Sequence, residues 1–391
     1  MILGSKQKMI NEIKTIGIVG GGQLGKMMIL DAKRLGFKIV TLDPSPDCPS
    51  VSISDELIIG SFDDEKAYAE LAKASDVITY EFEHINVSHL EAIKKNGTKV
   101  FPSVASLKII QDKLTQKQAL ADAGIPIPAF ETISTIKDLQ NYFAKQQKPF
   151  MLKARCGGYD GKGNFLVKGE DSITEGFEAL GGNVGKTLMV EELISFTREL
   201  SVIATRSQTG EVVVYPIAEN VHINSILDTT TVPAGKINSD LQQKISEVAK
   251  NVMDCFKGVG TFCVELFIDD KNGNVWVNEV APRVHNSGHY TIEACRVSQF
   301  ENHIRAIVGL GLGSTELLVG GVVMKNIIGK SNKNASYTGI EDAYNISPNL
   351  NMHIYGKTQA SKGRKMGHYT VTGKNVNEVK NVLEKIKIES I

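Results

Sequence analysis

The stretch TIGIVGGGQLGKMMILDAKRLGFKIVTLD, from Thr15 to Asp43, reads as strand, glycine turn, helix and strand. Thr15–Val19 is a short apolar run, and Gly20-Gly21-Gly22-Gln23-Leu24-Gly25 is the turn. A helical pattern then runs to about Leu35, and Lys38–Leu42 is the second apolar run. Two strands joined through a helix lie parallel, with a right-handed crossover. Further strands at Glu56–Ile59, Val77–Thr79 and Lys99–Phe101, with helical patterns between them, extend the unit into a parallel α/β sheet. The turn satisfies G-x-G-x-x-G and Asp43 closes the following strand, as in a dinucleotide-binding fingerprint. Any βα turn that hugs a phosphate or carboxylate needs the same small residues. The turn alone therefore leaves open both a nicotinamide dehydrogenase and an enzyme that holds an anion there, with Gln23 as a side-chain partner.

Outward from this unit, Val104–Ala123 reads as one amphipathic helix that stops at Gly124 ahead of Pro126 and Pro128, a domain boundary. Beyond it the pattern becomes α+β. Phe150–Ala154 and Asn164–Val167 flank a glycine loop. β-rich runs follow at Met189–Ile194, Glu199–Thr205, Val212–Ala218, Val221–Leu227, Thr261–Ile268 and Val275–Val280, with helices at Asp240–Phe256 and Gln299–Val308. After Gly320 come short strands, glycine turns and a final helix over Val376–Ile386.

Composition narrows the function. The 391 residues carry 44 Lys plus Arg against 44 Asp plus Glu, so the basic surplus of a nucleic-acid binder is missing. No apolar run approaches the roughly 18 residues of a membrane span, and Met1–Lys14 lacks the apolar core of a signal peptide. The five cysteines are widely spaced and form no CxxC pair, which predicts reduced thiols in a cytoplasmic protein.

Four further segments carry chemistry. In Lys153-Ala154-Arg155-Cys156-Gly157-Gly158-Tyr159-Asp160-Gly161-Lys162-Gly163, glycines let backbone N–H groups wrap a polyphosphate while Lys153 and Lys162 add charge. A P-loop signature is missing, so the nucleotide site is of another kind. Next, Lys271-Asn272-Gly273 reads as a three-residue hairpin loop in which Asp270 faces Asn274. Counting back along that register puts Glu265 opposite Glu279. Two facing carboxylates repel unless a cation lies between them, and Mg²⁺ bridging phosphate oxygens suits the pair. Ala281-Pro282-Arg283-Val284-His285-Asn286-Ser287-Gly288-His289 is a dense polar loop, with Arg for an oxyanion, His for proton traffic and Asn/Ser for orientation. Last, Lys357 to Lys365 is a basic cluster that could grip a phosphomonoester.

These segments resemble the ATP-grasp superfamily and, within it, the carboxyaminoimidazole ribonucleotide synthases of purine biosynthesis. GGGQLGKM (Gly20–Met27), DKLTQK (Asp112–Lys117), GGYDGKG (Gly157–Gly163), NEVAPRVHNSGHY (Asn278–Tyr290) and GRKMGHYTV (Gly363–Val371) occur in family order and span nearly the whole chain. The resemblance implies an N-terminal preATP-grasp domain (1–110), an ATP-grasp domain (111–310, with a lid at about 125–190 and a central part at about 191–310) and a small C-terminal β domain (311–391). It also implies a cytoplasmic ligase, a homodimer, that uses ATP, Mg²⁺ and bicarbonate to carboxylate 5-aminoimidazole ribonucleotide through carboxyphosphate and passes its product to a separate mutase.

By the same resemblance, Lys113 (where many relatives carry arginine) and Lys153 would meet the ATP phosphates. Gly158, Tyr159, Asp160, Gly161, Lys162, Gly163 and Asn164 would cover them. Glu191, Glu192, Leu193 and Ile194 would form the adenine hinge, with Glu199 on the ribose and His222 and Asn278 lining the nucleotide. Glu265 and Glu279 would hold Mg²⁺, and Arg283, His285 and Asn286 would surround bicarbonate. Gln23, Leu24, Glu81, Lys357, Arg364 and Lys365 would contact the aminoimidazole ribonucleotide, and Asp160 would steer its amine proton.

Overall fold

The computed structural model describes residues 13–158, 161–235 and 237–391. Strands β1 (Thr15–Val19), β2 (Lys38–Asp43), β3 (Glu56–Ile59), β4 (Val77–Tyr80) and β5 (Lys99–Val100) form a parallel sheet in the order β3-β2-β1-β4-β5. The order reverses beside β1, so the carboxyl ends of β1 and β4 open a crevice. Helix α1 (Gln23–Arg34) begins there and packs its Met27, Met28 and Ile29 face into a core shared with Phe300, Ile304 and Ile307.

The segment expected as one helix over Val104–Ala123 is two, Val104–Ile110 and α2 (Lys113–Asp122). Asp112 breaks it: its carboxylate caps the second helix by accepting from Leu114 N at 2.9 Å. An Asp side chain in competition with the helical ladder favours a cap over an interior position. Arg155 clamps the same carboxylate from the glycine loop. The break sets Lys113 at the first turn, facing the interior.

Strands β6 (Phe130–Ile133), β7 (Phe150–Ala154), β8 (Asn164–Val167) and β9 (Leu188–Glu192) make a small antiparallel sheet in the order β6-β9-β7-β8. A second antiparallel sheet has nine strands among the described residues. It runs through β10 (Arg198–Arg206), β12 (Ala218–Ile223), β13 (Ile226–Val232), β14 (Gly260–Asp269) and β15 (Asn274–Ala281), with the short β11 (Val212–Val214) beside β10. It continues past β13 into β16 (Gly321–Ile328), Lys365–Gly373 and Leu350–Ile354, so the C-terminal strands extend the same sheet. The run expected as a strand over Val221–Leu227 is instead a hairpin. Asn224 and Ser225 both take positive φ (51° and 64°), the turn that matches strand twist in a two-residue loop.

Helix α3 (Ser239–Phe256) covers one face of this sheet, packing Ile245, Val248, Val252 and Met253 on Leu200, Val202, Val264 and Leu266. The alternate positions Glu199, Ser201, Cys263 and Glu265 therefore lie on the opposite face. Helix α4 (Gln299–Val308) is buried along its length between the two sheets. No helix of the described residues is long and apolar enough to cross a membrane.

Candidate active site

The β14–β15 hairpin supplies the carboxylate pair, by a different route from the expected register. Asp269, not Asp270, faces Asn274, so the loop has four residues and the ladder runs one position out as far as Leu266↔Val277. A bulge at Asn278 then restores Glu265↔Glu279. The bulge decides which face the second carboxylate takes. Val275 and Val277 face the α3 core, and Glu279, two residues on, would share their face without it. With the extra residue, Glu279 turns to the open face and Val280 returns to the core.

Lys113 Nζ lies 2.5 Å from Glu279 Oε1. Burial would raise the Glu279 carboxyl, but Lys113 holds it below its usual range. Burial and then Glu279 push Glu265 up to about 7. Two half-buried carboxylates on adjacent strands, one ionised against a lysine and one driven towards protonation, form a donor set that fits a hard divalent cation.

Above the pair lies the β7–β8 hairpin. Lys153 Nζ meets Glu191 Oε1 at 3.0 Å, and Lys117 Nζ lies 3.2 Å from Glu191 Oε2. The Glu191 side chain, expected in the adenine hinge, is thus a buried anchor for two lysines. Burial opposes its ionisation, yet Lys117 and Lys153 hold it below the ordinary value. Burial brings Lys117 down to about 8 despite Glu191. Glu192, which ends β9 and gives its backbone N–H to Ala129 O at 2.8 Å, and Leu193 are exposed, and Ile194 is half-buried. Tyr159 and Asp160 lie outside the described residues. Gly158 and Gly163 touch across the loop neck: a Cβ on Gly158 would sit 2.5 Å from Lys162 O. Lys162 and Asn164 are exposed on the hairpin.

Gly161, at φ +75°, rests against the β12–β13 turn, where an added Cβ would meet Ser225 Cβ at 2.3 Å. Gly161→Ala therefore combines about 1–2 kcal/mol of left-handed strain with a steric clash. By the phosphate-covering role that the resemblance implies for this hairpin, it is expected to raise KM for ATP about tenfold or more. Ser225→Gly in the same chain should recover the part due to the clash, which steady-state kinetics on the single and double variants reads directly.

On the neighbouring interior strands β12 and β10, His222 Nδ1 lies 2.8 Å from Glu199 Oε2. Burial would lower the His222 pKa, but Glu199 keeps it above the ordinary value. Arg283 reaches into the N-terminal domain and binds Glu83 at 2.5 Å through Nε and 2.9 Å through Nη2. Burial works against the Glu83 carboxyl, but Arg283 holds it down at about 2. Glu83 was missed in the sequence, although Tyr80-Glu81-Phe82-Glu83 puts alternate carboxylates just past the carboxyl end of a parallel strand. His285 is half-buried, and desolvation and then Arg283 push its pKa well below normal. Asn286, expected around bicarbonate, exchanges two hydrogen bonds with Asn326 at 3.0 and 2.7 Å, so its amide is occupied in holding the loop.

The first glycine turn already contains an anion. Glu81 accepts from Gly22 N at 2.6 Å and Gly25 N at 2.7 Å, and Asp43 accepts from Gly21 N at 2.7 Å. A pyrophosphate cannot share that place, which removes the nicotinamide reading. Gln23 and Leu24, at the start of α1, border the turn. The C-terminal basic segment docks beside them. Thr358 Oγ1 donates to Asp47 at 2.6 Å, Lys26 Nζ donates to Tyr355 O at 3.0 Å, and the charge of Lys357 acts on Glu81. Arg364 donates to Gln359 O at 2.8 Å from an exposed turn. Lys365, at the start of the adjoining strand, is close enough to act electrostatically on both His222 and His285.

A parallel-sheet domain, a lysine-bearing glycine hairpin and a carboxylate pair on a facing antiparallel sheet define an ATP-grasp ligase. The family models agree: a ribonucleotide synthetase preATP-grasp domain matches residues 13–111, an ATP-grasp domain 118–300, and a phosphoribosylaminoimidazole carboxylase C-terminal domain 322–382. The chain is 41% identical to the N5-carboxyaminoimidazole ribonucleotide synthase of Staphylococcus haemolyticus, over 95% of this chain and 96% of that protein. The Staphylococcus aureus N5-carboxyaminoimidazole synthetase complexed with ADP superposes with a TM-score of 0.87 at 38% identity, covering 96% and 98% of the two chains. The Aspergillus clavatus enzyme in complex with ADP and 5-aminoimidazole ribonucleotide gives 0.86 at 34%, covering 95% and 97%. The chain belongs to the N5-carboxyaminoimidazole ribonucleotide synthase family.

Proposed function

We propose that the site carboxylates 5-aminoimidazole ribonucleotide on its exocyclic amine, using ATP and bicarbonate, through carboxyphosphate, with release of ADP and phosphate. The observation that carries this reading is the linked set in which Lys113 pairs with Glu279, Glu265 lies 3.4 Å from His285, and Lys357 and Lys365 act electrostatically on Glu81 and His285.

Bicarbonate is a poor electrophile, and phosphorylation gives it a leaving group. Lys113 and Lys153 approach the phosphates, where they stabilise charge as the terminal phosphoryl moves. Glu265 and Glu279 would hold Mg²⁺, which when bound supplies charge neutralisation on the phosphate oxygens. His222, Glu199 and Asn278 border the nucleotide, and the backbone of Glu192 to Ile194 offers its edge to adenine. Arg283 presents a guanidinium, already oriented by Glu83, to the bicarbonate oxygens. Carboxyphosphate hydrolyses readily, and the hairpin from Gly158 to Asn164, leaning on Ser225, excludes water. Gln23, Leu24, Glu81, Lys357, Arg364 and Lys365 take the ribonucleotide, and Asp160 is placed by the resemblance at its amine. A homodimer, and a separate mutase that consumes the labile N-carboxylated product, complete the reading.

The test is phosphate release with each substrate omitted in turn; release that ignores aminoimidazole ribonucleotide or bicarbonate would sink the proposal. A second experiment separates the two nucleotide sites. Charge-assisted hydrogen bonds contribute about 1.5–3 kcal/mol, so Arg364→Ala is expected to raise KM for the ribonucleotide about ten- to hundredfold. KM for ATP should stay within about twofold. A rise confined to ATP would move this loop out of the ribonucleotide site.

A further inference from the structure

Behind His285 runs a line of buried side-chain hydrogen bonds that the chemistry above does not use. Thr230 Oγ1 donates to Asn220 Oδ1 at 2.9 Å, and Asn220 Nδ2 donates to Ser201 Oγ at 2.9 Å. Ser201 Oγ donates to Ser287 Oγ at 2.8 Å, and Ser287 Oγ lies 2.9 Å from His285 Nδ1. Thr230, Ser201 and Ser287 are wholly buried and Asn220 nearly so, so no solvent competes for these partners. A buried chain of this kind has two possible directions, and side-chain hydroxyls and amides alone do not choose between them.

The choice is made at its end by the backbone. His285 caps the turn Asn286–Gly288, and its Nδ1 accepts the Ser287 backbone N–H at 3.3 Å. A peptide N–H can only donate, so Nδ1 must be an acceptor. The Ser287 hydroxyl then donates to Nδ1 and receives from Ser201, with the Cys263 thiol 3.7 Å away as a second donor. Ser201 in turn receives from Asn220. Both serine hydroxyls give one proton along the line and take one, in the same direction. With Nδ1 an acceptor, the ring is neutral and its proton sits on Nε2, which lies 3.4 Å from Glu265 Oε1 at the reacting face.

We infer that Asn220, Ser201 and Ser287 are positioning residues that hold His285 as the neutral Nε2–H tautomer, so that His285 serves the reaction as a fixed hydrogen-bond donor and not as a base. The inference deepens the proposed function and rests on its placing His285 beside the bicarbonate. An Nε2–H fixed from behind can donate to a carboxyl or phosphoryl oxygen at no cost in reorientation during the reaction. The partner on the far nitrogen sets the tautomer, as it does for histidines in metal sites.

The test begins with the tautomer itself. Long-range ¹H–¹⁵N correlations on the full, ¹⁵N-labelled chain, with His285→Gln to assign the ring, should show a pyrrole-type Nε2 and a pyridine-type Nδ1 at neutral pH. A protonated Nδ1, as the other tautomer or as imidazolium, would overturn the inference without any variant having to fold. Ser287→Ala and Ser201→Ala should each lower kcat about 10–100-fold. KM for ATP should hold in both, and Ser201→Thr, which keeps the hydroxyl, should recover much of the rate. Unchanged kcat in both alanine variants would also overturn it. If wild-type ADP release proved independent of bicarbonate, the functional reading would fall while the ring-nitrogen result stood.

Discussion

Glu279→Gln is expected to cut Mg²⁺-ATP turnover about 10²–10³-fold, because a cation on transferring phosphate contributes several kcal/mol to the transition state. Glu265→Gln should do the same, and the two variants should differ in stability. In the cation-free protein burial and Glu279 raise Glu265 to about 7, above the roughly 4.3 of an unfolded glutamate. The folded state therefore binds the extra proton, and wild-type stability falls as pH rises from about 4.3 to about 7. The amide that Glu265→Gln introduces has no charge to bury. With a chelator present, Glu265→Gln should unfold at higher denaturant than wild type at pH 8, and the advantage should vanish by about pH 4. Glu279→Gln loses the partner of Lys113 and should gain nothing at pH 8. Denaturant titrations at both pH values check this; a destabilised Glu265→Gln protein at pH 8 would show that the pair is not repulsive.

Arg283→Ala is expected to cost up to about 3 kcal/mol of stability as well as activity, since it strands the largely covered Glu83 carboxylate. The pair ties the loop after β15 to the end of β4, so the loss should appear as loosened contact between the two domains. Its pH dependence has a definite sign. Glu83 is depressed to about 2, so its contribution is complete above the unfolded pKa near 4.3 and is lost as pH falls through about 2. The gap between variant and wild type should be widest at neutral pH and shrink below about pH 4. Removing both charges, in Glu83→Gln with Arg283→Met, should restore much of the stability but not the turnover. An Arg283→Ala protein as stable as wild type at pH 7 would mean that the pair is solvated.

Much of this molecule is legible in one dimension. The five parallel strands follow from apolar runs spaced by helix-length segments, because period and length are local properties of the chain. The glycine hairpin is legible for a similar reason: only a loop that approaches phosphates or itself closely needs so many residues without a Cβ. Gly158, whose Cβ would strike Lys162 O, bears that out. The turn at Asn224-Ser225 and the break at Asp112 carried weaker signals, of one or two residues, and the longer apolar patterns around them hid both.

Other features were settled only when the elements packed. Glu265 faces Glu279 because a bulge at Asn278 corrects a register that begins one residue away from the expected one. Strand periodicity has no means of announcing an inserted residue. The first glycine turn matches a dinucleotide fingerprint, yet Glu81 fills it from just past the end of β4, which neighbours β1 only in the folded sheet. Glu191 became an anchor, and Asn286 a brace, because Lys117, Lys153 and Asn326 arrive from distant segments. Composition, turn chemistry and periodicity determined which residue types were available and which local shapes they would take. Which carboxylate meets a lysine, which fills a glycine turn and which faces another carboxylate was decided by tertiary contact, because pairing energy depends on distance and burial that no local stretch specifies.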